Sequence, residues 1–221
     1  MPRIVRDNAL SLAMLVLFIV PLLGQSGTGH HVYNQEQREH GEAEVSYLGY
    51  LKTGHFTESV FENWESEFLQ MAMYVVMTAV LIQKGSAESK KGDGSDPQDA
   101  DPRQHQLDPN APWPVRKGGA VLRVYEHSLA LALFTLFILS FILHAAGGAK
   151  EYSAEQVAHG GNEVRILEYM TTSQFWFESL QNWQSEFLAV FSIVVLSIFL
   201  RQRGSAESKP VHAPHAATGT D

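Results

Sequence analysis

Four apolar blocks dominate the sequence, spanning residues 9–24, 68–83, 128–149 and 187–200. A helix needs about 20 predominantly apolar residues to cross the hydrocarbon core of a bilayer. The first block lies within the uncharged stretch 8–29 and the third spans 128–149, so both meet this length, and the other two meet it when their flanks are included. Helices of a soluble bundle would carry a polar face along their whole length, which these blocks lack. The sequence therefore predicts an all-α membrane protein with four transmembrane helices.

Composition removes several classes of function. The chain has no cysteine, which excludes disulfides, thiolate-bound zinc, iron–sulfur clusters and a cysteine nucleophile. A formal net charge of −8 argues against a nucleic-acid partner, because nucleic-acid binding needs a basic face. The sequence contains no G-x-S-x-G, G-x-G-x-x-G or phosphate-loop motif. We therefore expect neither an enzyme nor a bound cofactor.

Basic residues predict the topology. The N-terminus, residues 84–123 and the segment from Arg201 onward hold twelve of the sixteen Lys and Arg residues. The two remaining loops hold only four of them: Arg38, Lys52, Lys150 and Arg165. Because Lys and Arg favour the cytoplasmic side of a membrane, both termini are predicted to be cytoplasmic. The expected location is a bacterial inner membrane, with the lipid bilayer as the principal partner.

The two halves of the chain are similar in sequence. A shift of 119 residues aligns 33–90 with 152–209 without a gap, and 27 of those 58 positions are identical. This predicts two tandem helical hairpins, 1–90 and 116–209, related by a pseudo-twofold axis along the membrane normal. Residues 91–115 and 210–221 are rich in Pro, Asp, Gly or Ala, so a disordered linker and tail are expected.

Two repeated motifs carry a resemblance to a known family. N-W-x-S-E-F-L precedes the second and fourth blocks at 63–69 and 182–188, and G-S-A-E-S-K follows them at 85–90 and 204–209. A duplicated hairpin with these motifs resembles a family of small bacterial integral-membrane proteins that is defined only as a domain of unknown function. The resemblance implies a membrane location and this topology, and it implies no activity.

The first motif supplies intramembrane candidates. Glu67 and Glu186 are expected at or just inside the outer membrane boundary, with Asn63 and Asn182 one turn earlier on the same helix face. One hypothesis is that the two carboxylates line a path for an ion or a proton. The alternative is a structural role, in which they join helices by hydrogen bonds or complement a helix dipole. The motif's tryptophans are interpreted as interfacial anchors, Trp64 and Trp183.

A second set of candidates lies in the outward loops. Glu36 and His40, like Glu155 and His159, are four residues apart and would share one helix face. Carboxylate and imidazole ligands suit zinc or manganese, so the four residues are candidates for a metal site. The alternative interpretation is that each His precedes a glycine that ends its helix.

The G-S-A-E-S-K motif has two open interpretations on the cytoplasmic side. It is either a docking segment for a cytoplasmic protein or an interfacial turn that packs under the helices. Its candidate residues are Gly85, Ser86, Glu88, Gly204, Ser205 and Glu207.

Three functions remain open from the sequence. The favoured hypothesis is a non-catalytic structural or interaction protein of the cell envelope, which includes assembly as a homo-oligomer. The second is a small channel or carrier that uses Glu67 and Glu186. The third is a metal-binding membrane protein that uses the Glu/His pairs.

Overall fold

The computed structural model describes residues 3–94 and 96–219, which form helices and turns with no β-strand among them. The all-α prediction is confirmed. The first half of the chain contains two long helices joined by a one-turn helix. Its helices are α1 (Arg3–Asp7), α2 (Ala9–Glu39), α3 (Tyr47–Tyr50) and α4 (Gly54–Val80).

The second half repeats this order after a connecting segment. Two 3-10 helices, Pro97–Asp99 and Pro102–His105, precede the remaining α-helices. These are α5 (Trp113–Lys117), α6 (Gly119–Glu126), α7 (Ser128–Ala158), α8 (Ile166–Tyr169) and α9 (Ser173–Phe199). Local hydrogen bonds occur within the connecting segment; for example, the Arg103 N–H donates to the Asp101 carboxylate. The disorder expected of residues 91–115 stays a prediction.

The long helices of the two halves have matching bounds. The bounds of α7, α8 and α9 are those of α2, α3 and α4 increased by 119 residues. The one-turn helices begin in different ways, because Ser46 Oγ accepts the Gly49 N–H whereas the Glu168 carboxylate accepts the Arg165 N–H. Equal helix lengths therefore accompany the sequence similarity, although the caps differ.

Within residues 3–94 and 96–219, three helices, not four, are long and apolar enough to cross a membrane: α2, α7 and α9. Of the four predicted spans, α4 is the one whose apolarity does not by itself support a crossing. The sequence places the start of the apolar block at Phe68, but the helix already begins at Gly54. Its first half therefore carries four carboxylates, at Glu58, Glu62, Glu65 and Glu67.

The chain folds into two compact units. The first comprises Met1–Phe61 and Ile142–Phe175, and the second comprises Glu62–Phe141 and Trp176–Asp221. In the first unit, α4 approaches α7 closely where α7 carries Gly147. A Cβ at Gly147 would lie only 2.6 Å from the Glu58 backbone nitrogen. The missing side chain therefore permits this helix contact.

We expect Gly147→Ala to destabilise the protein. Overpacking a close contact costs about 1–3 kcal/mol, which exceeds the helix-propensity gain of about 1 kcal/mol from replacing Gly with Ala. Thermal unfolding of the purified protein in detergent would show a lower midpoint. Gly24→Ala is the matched control, because a Cβ at this helical position meets nothing within 4 Å. An equal or higher midpoint for Gly147→Ala would contradict the close contact.

Candidate functional site

A buried cluster of titratable side chains lies in the first unit. His144 of α7 is fully buried and stacks on Phe175, with ring centroids 5.0 Å apart. A ring nitrogen of His144 lies within 4.8 Å of a carboxylate oxygen of Glu58 from α4. The hydroxyl of the buried Tyr169, at the end of α8, donates to Glu58 Oε1 at 3.0 Å. An imidazole, a carboxylate and a phenol thus meet at one place.

A glycine lies beside this cluster and leaves space for its side chains. Gly148 leaves room for two of the members, since a Cβ there would lie 2.5 Å from Tyr169 Oη and 2.6 Å from Glu58 Oε1. The one-turn helix α8 aims Tyr169 at this gap, and the Thr172 hydroxyl donates to the Tyr169 carbonyl at 2.7 Å. Phe175 contacts the Tyr169 ring edge-on at 5.4 Å. Glycine on one side and aromatic rings on the other therefore fix the positions of Glu58 and His144.

The first half also packs a buried tyrosine against a glycine at the corresponding positions, but the polar side chains around it differ. Tyr50 is buried against Gly29 as Tyr169 is against Gly148. Its hydroxyl lies 3.2 Å from His55 Nδ1, and burial, followed by the Glu151 and Glu36 carboxylates, raises the Tyr50 pKa. Gln25 stands where the second half has His144. The tyrosine–glycine contact occurs in both halves, whereas the Glu–His–Tyr cluster combines Glu58 of the first half with two residues of the second.

A second buried carboxylate lies in the other unit. Glu65 of α4 has no exposed surface, and Trp183 of α9 donates its indole N–H to Glu65 Oε1 at 2.9 Å. The Trp183 ring also packs edge-on against Phe137 and Trp176, each at 6.3 Å between centroids. This hydrogen bond, surrounded by aromatic rings, joins α4 to α9.

We expect Trp183→Phe to lower stability, because the buried Glu65 carboxylate loses a hydrogen-bond donor. Such a loss costs about 1–3 kcal/mol. Thermal unfolding in detergent measures it, and Trp113→Phe is the control because Trp113 is 58% exposed. Equal midpoints for the two variants would show that the indole N–H contributes nothing.

The predicted pair Glu67 and Glu186 lies at the centres of its helices. Each residue is thirteen positions from both ends of α4 or α9, about 20 Å at the helical rise. The two carboxylates are near enough to repel each other, and Glu67 is exposed while Glu186 is partly buried. Of the predicted asparagine partners, Asn63 is exposed, and the Asn182 amide donates to the Glu178 carbonyl at 3.1 Å.

The predicted tryptophan anchors also lie within helices. Trp64 is the eleventh residue of α4, and Trp183 is the eleventh of α9. Both are partly buried. Their role at a membrane interface stays a prediction, while the hydrogen bond of Trp183 to Glu65 is a contact that the motif did not foretell.

The Glu/His pairs lie at the ends of α2 and α7. All four side chains are exposed, and each His donates from Nδ1 to the backbone carbonyl of the Glu four residues earlier, at 2.9 Å for His40 and 2.8 Å for His159. The glycines that follow, Gly41 and Gly160, have φ of 75° and 82°. The prediction that these glycines end the helices is confirmed. Metal binding by the pairs stays a prediction.

The G-S-A-E-S-K motif folds as the same turn in both halves. Ser86 Oγ accepts the Glu88 N–H and Ser89 Oγ accepts the Gln83 N–H, at 3.1 and 2.9 Å. Ser205 and Ser208 make the same bonds at the same distances in the second half. Gly85 and Gly204 supply φ of 88° and 83°, a conformation that favours glycine. The serines therefore serve the fold of the turn.

The first turn is also packed against other parts of the second unit. The buried Ser86 shares a hydrogen bond of 2.9 Å with Ser197 of α9. The fully buried Lys209 ammonium donates to the Gly85 carbonyl and to Ala217 O at 2.8 Å. Gly85 N–H donates to Thr218 Oγ1 at 2.9 Å. The last residue of the second motif thus holds the following segment against the first motif.

Glu88 completes this packing. Tyr74 of α4 donates its hydroxyl to Glu88 Oε2 at 2.8 Å, and burial raises the pKa of Glu88 above its ordinary value of 4.5, with a further contribution from the Glu207 carboxylate. A raised pKa means that the folded state holds the Glu88 proton more tightly than the unfolded state. Glu88 therefore adds stability at low pH, and this contribution is lost as pH rises above 4.5 through the folded-state pKa.

Between pH 4.5 and neutral pH, the stability of the wild-type protein should fall as Glu88 ionises. We expect the Glu88→Gln variant to lack this part of the fall. The amide oxygen of Gln can still accept the Tyr74 hydroxyl, so the packing is kept. Thermal midpoints of wild type and variant across this range measure the difference. Glu155→Gln, at an exposed position, should follow the wild-type pH profile. Parallel profiles for Glu88→Gln and wild type would contradict the pKa shift.

The sequence carried a signal for the residues that its motifs missed. His144 is the single titratable residue in the third apolar block. Glu58, Glu62 and Glu65 follow spacings of four and three, which place them on one face of α4. The apolar block begins only at Phe68, so the block itself does not include that face.

Comparison with known families covers almost the entire chain. The family model described as "Domain of unknown function (DUF6766)" matches residues 1–220. The chain belongs to this family. No curated protein and no solved structure matches it. Membership in this family, which is described as a domain of unknown function, assigns no activity to the chain.

Proposed function

We propose that this DUF6766 protein is an integral membrane protein that conducts protons, with Glu58, His144 and Tyr169 as the proton-accepting site. Three helices of membrane-spanning length and apolarity support the location. The observation that carries the proposal is the Glu58–His144–Tyr169 cluster, whose imidazole is fully buried on the candidate span α7. Ionisable groups within spans are costly, and they mark ion or proton pathways.

The three groups suit proton transfer. An imidazole nitrogen can accept a proton and release it again, which is the chemistry that a proton path requires. The Tyr169 hydroxyl already donates to Glu58 at 3.0 Å, and the carboxylate can accept a proton from a neighbouring group. Glu65 lies on the same face of α4, seven residues and about 10 Å along the axis from Glu58. The acidic face thus continues along the helix.

The proposal includes a fourth span. We place α4 across the membrane as well, with its acidic face directed at protein, since Glu65 has no exposed surface. Four spans in two tandem hairpins put both termini on one side, and the distribution of Lys and Arg makes that side cytoplasmic. The matching helix bounds support a pseudo-twofold axis along the membrane normal. A bacterial inner membrane is the proposed location.

Proton flux into vesicles tests the function. Purified protein is reconstituted into liposomes that contain a pH-sensitive dye, and a potassium diffusion potential drives the flux. Wild-type protein should acidify the interior faster than empty liposomes do. Glu58→Gln should reduce the rate to that of empty liposomes, because an amide cannot take up the proton.

The matched control for this experiment is Glu155→Gln, an exposed carboxylate on α7 that should leave the flux at the wild-type rate. Glu67→Gln with Glu186→Gln tests whether the central pair also belongs to the path. No flux from folded wild-type protein, or an equal flux from Glu58→Gln, would contradict the proposal.

One observation favours a second function, as a non-catalytic interaction protein of the cell envelope. The second G-S-A-E-S-K turn has the fold of the first, yet Gly204 and Ala206 are exposed whereas the corresponding Gly85 and Ala87 are buried. A folded, exposed turn is suited to a cytoplasmic protein partner or to a second copy of the chain. Folded protein that shows no proton flux would favour this function.

A further inference from the structure

Three side chains fill the space beside α3 in the first half of the chain. His30 of α2 donates from Nε2 to the Val45 carbonyl at 2.8 Å. Asn34 donates to the same carbonyl at 3.0 Å and accepts the Val45 N–H at 2.8 Å. Tyr47 shares a hydrogen bond of 2.7 Å with Ser26, and its ring contacts His30 edge-on at 5.7 Å. The gap between α2 and the chain leading to α3 is thereby closed.

The positions 119 residues later hold smaller side chains. Ala149, Ser153 and Ile166 stand in place of His30, Asn34 and Tyr47. Ser153 still accepts the Val164 N–H and donates to the Val164 carbonyl, at 2.8 and 2.9 Å. The backbone attachment is therefore kept while the filling side chains are gone. An open groove of about 1100 Å³ lies at this place.

The groove combines an apolar floor with charges of both signs. Small and aliphatic side chains of α7 line it, among them Ala146, Ala149 and Val157. Two cations, Lys150 and Arg165, lie in its wall. Three carboxylates complete that wall: Glu42, Glu163 and Glu168. The groove follows the C-terminal end of a candidate span, where a membrane helix meets the lipid headgroups.

We propose that this groove binds one phospholipid with a zwitterionic, primary-ammonium headgroup, of the phosphatidylethanolamine class. An acyl chain lies along Ala146, Ala149 and Val157. The phosphate meets Lys150 and Arg165, and the headgroup ammonium donates hydrogen bonds to carboxylates of the wall. The inference rests on the membrane location and not on proton conduction.

Charge and hydrogen bonding select this headgroup among common ones. Three carboxylates outnumber the two cations, which disfavours a lipid with a net negative charge. A choline headgroup carries the same formal charges, but its quaternary nitrogen has no N–H to donate. The primary ammonium group matches both the charge and the donor requirement of the wall.

The first half provides the design of a variant that closes the groove. Ala149→His, Ser153→Asn and Ile166→Tyr together introduce the three side chains that close the equivalent space. Native mass spectrometry after extensive detergent washing counts the lipids bound per chain. Wild type, purified from an equal mixture of phosphatidylethanolamine, phosphatidylcholine and phosphatidylglycerol, should retain one phosphatidylethanolamine. The triple variant should lose it.

The reverse exchange is the matched control. His30→Ala, Asn34→Ser and Tyr47→Ile open space in the first half and leave the groove intact. His31 and Ser46 stand there in place of Lys150 and Arg165, so the opened space lacks both cations. This control should keep one phosphatidylethanolamine and gain none.

A second variant tests the headgroup without altering the apolar floor. Glu163→Gln with Arg165→Gln should abolish the preference for phosphatidylethanolamine over phosphatidylcholine. Equal lipid counts in wild type and the filled variant would overturn the proposal, as would equal retention of all three lipids by wild type. A wild-type dimer that the filled variant loses would also overturn it, because a second copy of the chain would then occupy the groove. None of these readouts depends on proton flux.

Discussion

A polar group that is buried among apolar side chains needs a hydrogen-bond partner inside the protein, because neither water nor apolar atoms supply one there. The Glu65 carboxylate meets this requirement with the indole of Trp183, and the Glu58 carboxylate meets it with the hydroxyl of Tyr169. The Glu58 contact depends on Gly147 and Gly148, since a side chain at either position would separate the helices. The positions of the acidic groups of α4 therefore follow from where glycine and aromatic residues allow close approach.

The two halves share a tyrosine–glycine contact but differ in the side chains around it. A buried tyrosine faces a glycine in each half, but Gln25 occupies the position of His144, and the side chains that fill the space beside α3 have no large counterparts beside α8. The second half thereby gains an imidazole for the buried cluster and an open groove near the end of α7. Because identical residues would give identical sites, any functional difference between the halves must come from such substitutions.

The G-S-A-E-S-K motif shows how a fold can explain a repeated sequence. Glycine supplies a left-handed backbone, the first serine accepts the N–H two residues later, and the second serine accepts the N–H six residues earlier. The lysine has a different role in each half: Lys90 pairs with Asp99, whereas Lys209 is buried among backbone carbonyls. Packing, and not the motif itself, determines which copy is covered.

The sequence by itself determined the all-α class, the equal helix lengths of the two halves and the glycine-terminated helix ends, because these depend on apolar periodicity and local backbone preference. It did not show that α4 begins as early as Gly54, since the onset of an apolar block does not mark where a helix begins. Only the tertiary structure brought Glu58 to His144 and Tyr169, and Glu65 to Trp183. These contacts join residues more than 80 positions apart, and their distances depend on helix packing, which no local pattern encodes.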